Sequence, residues 1–244
     1  PCIGVYIGRA YWGFLGRFYK MLGCYYYTDR SFQGSKAIGL TAATNDVDWV
    51  RANELSVVME GQRMQLFEGK IEPADLCQGH LGDCWLVAAM ASLAEHPGAV
   101  RNCFLTTEYS DRGKYMIRLW DGRADKWEII TVDDYIPVKK GTKQAIYMRP
   151  NGRELWAVIL EKAFAKFCGS YLNLDGGCTA WALHAMTGNY VLQLAKSAEA
   201  RWTRKNMYFQ GGDVCGQGRR SIAFEPARER ELDEEGFFDV LLQY

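Results

Sequence analysis

Histidine is scarce in this chain, with three among 244 residues, at positions 80, 96 and 184. Chemistry that depends on an imidazole therefore has few candidates. None of the eight cysteines stands in a C-x-x-C pair, which argues against a structural zinc site. Neither sign of charge predominates, with 29 basic and 29 acidic residues, so there is no bulk case for nucleic-acid binding. No apolar run is long enough to span a bilayer, and no internal repeat is visible. The first residue is Pro1, so the native start is expected to lie upstream, with a signal peptide or further domain left open.

What is present describes a folded globular protein: hydrophobic residues make up 48% of the chain, enough for a large core in one large or two small domains. A chain of this size does not need disulfides, and a reactive thiol must stay reduced, so a reducing, cytoplasmic setting is expected.

The chemistry concentrates in Asp75–His96. Gly79 and Gly82 loosen a loop, and Asp83 offers a short carboxylate at a helix start. From Cys84 to Ala94 the residues are almost all apolar or small, without Gly or Pro, and Pro97 stops the run. A helix apolar on most faces belongs in an interior. The Cys84 thiol therefore falls in the first turn of a buried helix, where free N–H groups and the helix dipole stabilise a thiolate. Gln78, six residues earlier, is spaced to bring an amide donor to the sulfur; with the Cys84 N–H it would form an oxyanion hole. An isolated cysteine is usually just a buried side chain. The glutamine, the glycines and the helix start together favour a nucleophile.

Gln78-Gly79-His80-Leu81-Gly82-Asp83-Cys84-Trp85-Leu86 resembles the nucleophile segment of the calpains, cysteine endopeptidases regulated by calcium. A second block is similar to another calpain signature: Glu154-Leu155-Trp156, then Leu160 to Lys166, Gly169-Ser170-Tyr171 and Gly176-Gly177. Shorter matches lie at Asp29 and Phe32, at Trp49–Leu55 and at Met186-Thr187-Gly188. The resemblance implies an α/β, papain-like protease core. It covers the first, Cys-bearing subdomain and the opening of the second. That subdomain is expected to hold a central buried helix and a β-hairpin. Residues 1–27 then form an aromatic and basic linker or tail, 28–177 the subdomain carrying Cys84, and 178–244 an incomplete start of the second subdomain.

The rest of the chain is read from its patterns. Two readings stand for Pro1–Tyr27: an amphipathic segment touching membrane or another domain, or a linker packing its aromatics on the core; its glycines favour the linker. Trp49–Leu55 alone suggests the start of a short helix. Lys114–Trp120 and Lys126–Val132 alternate as two strands of a hairpin, and Asp133-Asp134 reads as a solvated strand end. Glu154–Cys168 is a helix with an apolar stripe through Leu155, Val158, Ile159, Ala163 and Phe167, leaving Lys162 and Lys166 facing out. Lys196–Arg220 reads as a loop, Glu225–Glu235 as a solvated charge run and Phe237–Tyr244 as an apolar helix.

A thiol protease also needs a base, usually an imidazole. His80 sits on the turn before Cys84, His96 at the far end of the nucleophile helix, and His184 in an apolar stretch. None is well placed. The resemblance implies that the catalytic histidine and asparagine come from further along, so this fragment is expected not to turn over substrate. It also implies calcium, bound by the Asp75 and Glu154 carboxylates and the carbonyls of Glu68 and Lys70. An all-oxygen set of this kind suits a hard cation, and no EF-hand loop is present. Gly176 and Gly177 would line the substrate cleft. The implied function is calcium-dependent cleavage of internal peptide bonds in protein substrates, through a Cys84 thioester. An inactive calpain homologue serving as a regulatory or binding module is the alternative, and a thiol transferase such as a transglutaminase is a weaker third. Oligomeric state is not legible.

Overall fold

The computed structural model describes residues 26–39, 46–58, 62–196, 201–210, 221–226, 232–233 and 236–238. Its elements run α1 (Gly34–Ile38), β1 (Val47–Arg51), α2 (Cys84–Ala94), β2 (Lys114–Asp121), β3 (Lys126–Asp133), β4 (Tyr135–Lys139), α3 (Trp156–Phe167), α4 (Thr179–Thr187), β5 (Leu192–Lys196), β6 (Trp202–Gln210) and β7 (Ser221–Pro226). Short 3-10 turns at Ala52–Glu54, Pro73–Asp75, Arg101–Cys103 and Leu172–Leu174 join them.

α2 forms where its composition dictates. Cys84 opens it and Ala94 closes it, and Trp85, Leu86, Ala89, Met90, Leu93 and Ala94 are buried. It packs on α4, α4 packs on β2, and α3 lies against β3. Trp181 of α4 joins the three helices through its ring. Trp85 tilts against it at 5.6 Å, Phe164 meets it edge-on at 5.8 Å, and Phe167 stacks on it at 6.2 Å. Aromatic rings of this size dominate the burial energy of such a junction, and offset or edge geometries add to it.

β2 and β3 pair antiparallel over their full length, from Lys114 opposite Asp133 to Asp121 opposite Lys126. This is the expected hairpin. β1 pairs antiparallel with β4, Trp49 opposite Pro137. Trp49–Leu55 is thus a strand running into a 3-10 turn, not the start of a helix. Its β-branched and aromatic residues fit a pleated, half-buried surface better than a helix.

The acidic pair at the end of β3 is not solvated. Asp133 is fully buried and Asp134 nearly so. Lys162 of α3 does not face out either; its side chain is fully buried. Its Nζ donates to Asp133 Oδ1 at 2.5 Å and to the Tyr135 carbonyl at 2.6 Å. Lys166 donates to Asp29 Oδ2 and to the Thr131 carbonyl, both at 2.6 Å. Arg51 pairs with Asp134 and donates to the Tyr27 carbonyl at 2.9 Å. Asp133 Oδ2 accepts the Asp29 N–H at 2.7 Å. Charges buried in this way must be paired and hydrogen-bonded, and here they fasten residues 27–31, β1, β3 and α3 together.

Two further expectations are corrected. Trp202–Gln210 and Ser221–Pro226, within or overlapping the stretches read as loop and charge run, are β6 and β7 of an antiparallel sheet ordered β5-β6-β7. Cys168, at the end of α3, is disulfide-bonded, so the expectation of wholly reduced thiols does not extend to it. Residues 1–25, most of the aromatic tail, lie outside the described residues, as do 239–244 of the expected last helix.

Candidate active site

The thiol stands at the head of α2 and is exposed. Two segments flank it. The loop before it is held from one side by residues 146–151: the Ile146 carbonyl accepts the His80 N–H at 2.9 Å, and the Cys77 carbonyl accepts the Arg149 N–H at 2.9 Å. Gly79 is required there, because a Cβ would fall 2.1 Å from the Tyr147 carbonyl oxygen. On the other side, Gly176 donates its N–H to the Gly82 carbonyl at 2.9 Å. A Cβ on Gly177 would lie 2.3 Å from the Trp85 ring, and the Trp85 indole N–H donates to the Leu174 carbonyl at 2.8 Å. The Gly176–Gly177 strip is therefore bound directly to the nucleophile loop and helix.

Asp83 occupies the residue before α2 but does not cap it with its side chain. Its carbonyl accepts the Leu86 and Val87 N–H groups, at 2.8 and 3.1 Å. The carboxylate is instead turned inward and fully buried, where Oδ1 accepts Gln78 Nε2–H at 2.9 Å. Gln78 Nε2 also donates to the Leu81 carbonyl at 2.9 Å. The amide expected at the sulfur is thus engaged within its own loop in this state. Buried Asp83 found this donor because leaving a carboxylate unpaired there costs more than giving up a helix cap.

Sequence reasoning missed the partner of Asp83. Glu161, in the middle of α3, is buried and accepts the Met148 N–H at 2.9 Å. Its carboxyl is hydrogen-bonded to that of Asp83, and burial first, then this neighbour, push its pKa well above the usual range. The signal was available: Glu161 shares a helix face with Val158 and Ala165.

Three of the four residues expected at a cation, Glu68, Asp75 and Glu154, also converge. Gln65 pairs with Glu154 in a parallel bridge, laying residues 65–68 alongside the start of α3. Glu154 Oε1 accepts the Glu68 N–H at 2.8 Å. Its carboxyl is hydrogen-bonded to that of Asp75, which in turn accepts the Glu72 N–H at 2.8 Å. The Glu68 carboxylate pairs with Arg153, and exposed Lys70 lies 3.3 Å from Glu72. Among the described residues no three His, Cys, Asp or Glu side chains cluster as a metal site. A cation here would rest on two carboxylates and backbone carbonyls, and a buried Glu154 carboxyl brought against half-buried Asp75 fits that demand.

Burial, then the Asp75 and Glu68 carboxylates, push Glu154 up to about 7 against the Glu68 N–H, from an ordinary value of 4.5. Between those values the folded chain holds more protons than the unfolded one, so this group's contribution is complete below 4.5 and is lost as pH rises to about 7. In calcium-free protein, Glu154→Gln is expected to flatten the decline in urea midpoint across that window, relative to the parent. An unchanged slope would contradict this.

Two of the three histidines lie away from the thiol. His184 is buried in α4 with Nδ1 2.6 Å from the Asn189 carbonyl oxygen. His96 is twelve residues along from Cys84, about 18 Å at the helical rise.

An exposed cysteine at the head of a buried helix, walled by a glutamine loop and a glycine strip in an α/β core, is the arrangement of the cysteine-protease class. Comparison with known sequences makes this specific. The sequence model of the calpain family cysteine proteases matches residues 27–212, and the chain belongs to that family. It is 33% identical over 184 residues to the calpain-type cysteine protease DEK1 of Zea mays, covering 71% of this chain and 8% of that protein. With the calpain-1 catalytic subunit of Rattus norvegicus it shares 35% over 172 residues, 67% of this chain and 23% of that protein. The calpain-2 catalytic subunit of Bos taurus is 31% identical over 179 residues, 72% of this chain and 24% of that protein. The chain spans less than a quarter of the length of each.

Proposed function

We propose that this chain carries the nucleophile half of a calcium-dependent cysteine endopeptidase acting on protein substrates in the cytoplasm. The observation that supports it best is the exposed Cys84 at the first turn of buried α2. There the thiolate is favoured by the helix dipole and attacks a peptide carbonyl, giving a thioester once the amine leaves. Gln78 is assigned as oxyanion donor, which requires its amide to leave the Leu81 carbonyl and turn toward the substrate. Gly176 and Gly177 would offer backbone groups to the peptide. The proton must be handled by an imidazole that His80, His96 and His184 do not provide, so the isolated chain is expected to be inactive.

Calcium would be held by Asp75, Glu154 and the carbonyls of Glu68 and Lys70, drawing the segment before the nucleophile loop onto the start of α3. Bound there, the ion supplies positive charge between two carboxylates that otherwise repel or share a proton. The test is cleavage of a denatured protein by the full-length enzyme across a calcium titration. Asp75→Ala with Glu154→Ala is expected to move the half-activating calcium concentration upward by about tenfold or more. An unmoved titration curve dismisses this site.

A second reading, an inactive homologue acting as a binding module, draws on the engagement of Gln78 within its own loop. Cleavage by the full-length protein under calcium decides between the two.

A further inference from the structure

One buried group beside the nucleophile has no place in the chemistry above. Asp83 Oδ2 is fully buried and receives no N–H or O–H from any group in its ordinary protonation state. The carboxyls of Asp83 and Glu161 lie within hydrogen-bond reach of each other. Two acceptor-only carboxylates in contact would leave a buried repulsion uncompensated, so the pair must hold a proton. Asp83 is the better anion: it lies at the positive end of α2 and accepts from Gln78. Glu161, mid-helix and accepting the Met148 N–H at Oε1, is the better acid.

We propose that Glu161 is a positioning residue which, as a neutral carboxylic acid donating to Asp83 Oδ2, holds the Asp83 carboxylate inward. The inference rests on the reading of Cys84 as nucleophile. Its consequence is electrostatic. A carboxylate at this position would ordinarily turn to cap its helix. Drawn inward, it leaves the first N–H groups of α2 without a side-chain cap, and it holds the Gln78 amide within the loop that leads into the helix. Without the Glu161 donor, Asp83 is released toward those N–H groups. The groups that stabilise an anion at Cys84 are then occupied, and a negative charge stands next to the sulfur. The other ionisable groups facing the pair are Asp175, which adds negative charge toward Asp83, and Tyr147 and Tyr171, which face Glu161.

The test uses the full-length protein and does not depend on peptide cleavage. Iodoacetamide alkylation of Cys84, followed by peptide mapping across pH, is compared for the parent, E161Q and E161L. Glutamine keeps one donor for Asp83 and one acceptor for Met148, so E161Q is expected to retain the parent rate. E161L is expected to slow alkylation at neutral pH by about tenfold, with the pH midpoint moved up by about one unit. If E161Q slows as much as E161L, the proposal fails. Infrared difference spectra at about pH 8, above the value near 7 at which Glu154 ionises, supply a readout that folding defects do not mimic. The carbonyl stretch of a protonated acid should be present in the parent and absent in E161Q. A parent spectrum without that band means that Glu161 is ionised, and overturns the proposal. Failure of peptide cleavage, with these results intact, counts against the protease reading only.

Discussion

Cys84→Ala is expected to abolish peptide cleavage by the full-length protein, a loss on the order of 10⁴ or more in kcat. Of the other free thiols among the described residues, Cys103 is buried, with its pKa pushed up to about 12 by desolvation, and Cys77 and Cys178 are half-buried, whereas exposed Cys84 opens α2. Cys84→Ser should fare little better. A thiol gives up its proton far more readily than a hydroxyl and is the stronger nucleophile, whereas a hydroxyl needs a base at the moment of attack. Because the side chain is exposed, the substitution should leave the urea unfolding midpoint almost unmoved, which separates loss of chemistry from loss of fold. Residual cleavage at a tenth of the parent rate would remove Cys84 from its role.

The largest effect on stability is expected at Lys162. Its fully buried ammonium meets Asp133 at 2.5 Å and the Tyr135 carbonyl at 2.6 Å, and lies 5.4 Å from the centre of the Trp49 ring. Desolvation lowers its pKa, and the Asp133 carboxylate works against that shift. Lys162→Met fits the space but leaves Asp133 buried without its counter-charge, a change that costs about 3–5 kcal/mol. The loss should be smaller when Asp133→Asn is added, since the orphaned charge is then gone. A double-mutant cycle read by urea unfolding gives the coupling. If the two losses simply add, the pair is not the unit argued here. The same experiment bears on the site indirectly, because α3 carries both Lys162 and Glu161 on different faces.

The two ends of this helix show where sequence patterns stop being informative. Its apolar stripe was legible, as was the span of α2 from Cys84 to Ala94, because helical spacing and breakers act locally. The hairpin of β2 and β3 was legible for the same reason. Lys162 and Asp133 were not: each looks solvated alone, and only the approach of α3 to β3 turns them into a buried pair. Asp83 looked like a helix cap because its neighbours in sequence favour one. Glu161, distant in the chain, offers it a better partner. β1 was misread because its partner β4 lies far along the chain, and strand pairing is decided by that partner more than by local propensity.

The sequence by itself determined the family and marked its candidate nucleophile: a thiol, a helix start and a glycine loop are all set within a dozen residues. Tertiary structure decided what surrounds that thiol. It brought the Asp75 and Glu154 carboxyls together, laid the Gly176–Gly177 strip against Trp85, and turned Asp83 away from its helix toward Glu161. Local propensity chooses helices and turns, but the cost of burying a charge is settled only when distant segments close over it, and that closure writes the site.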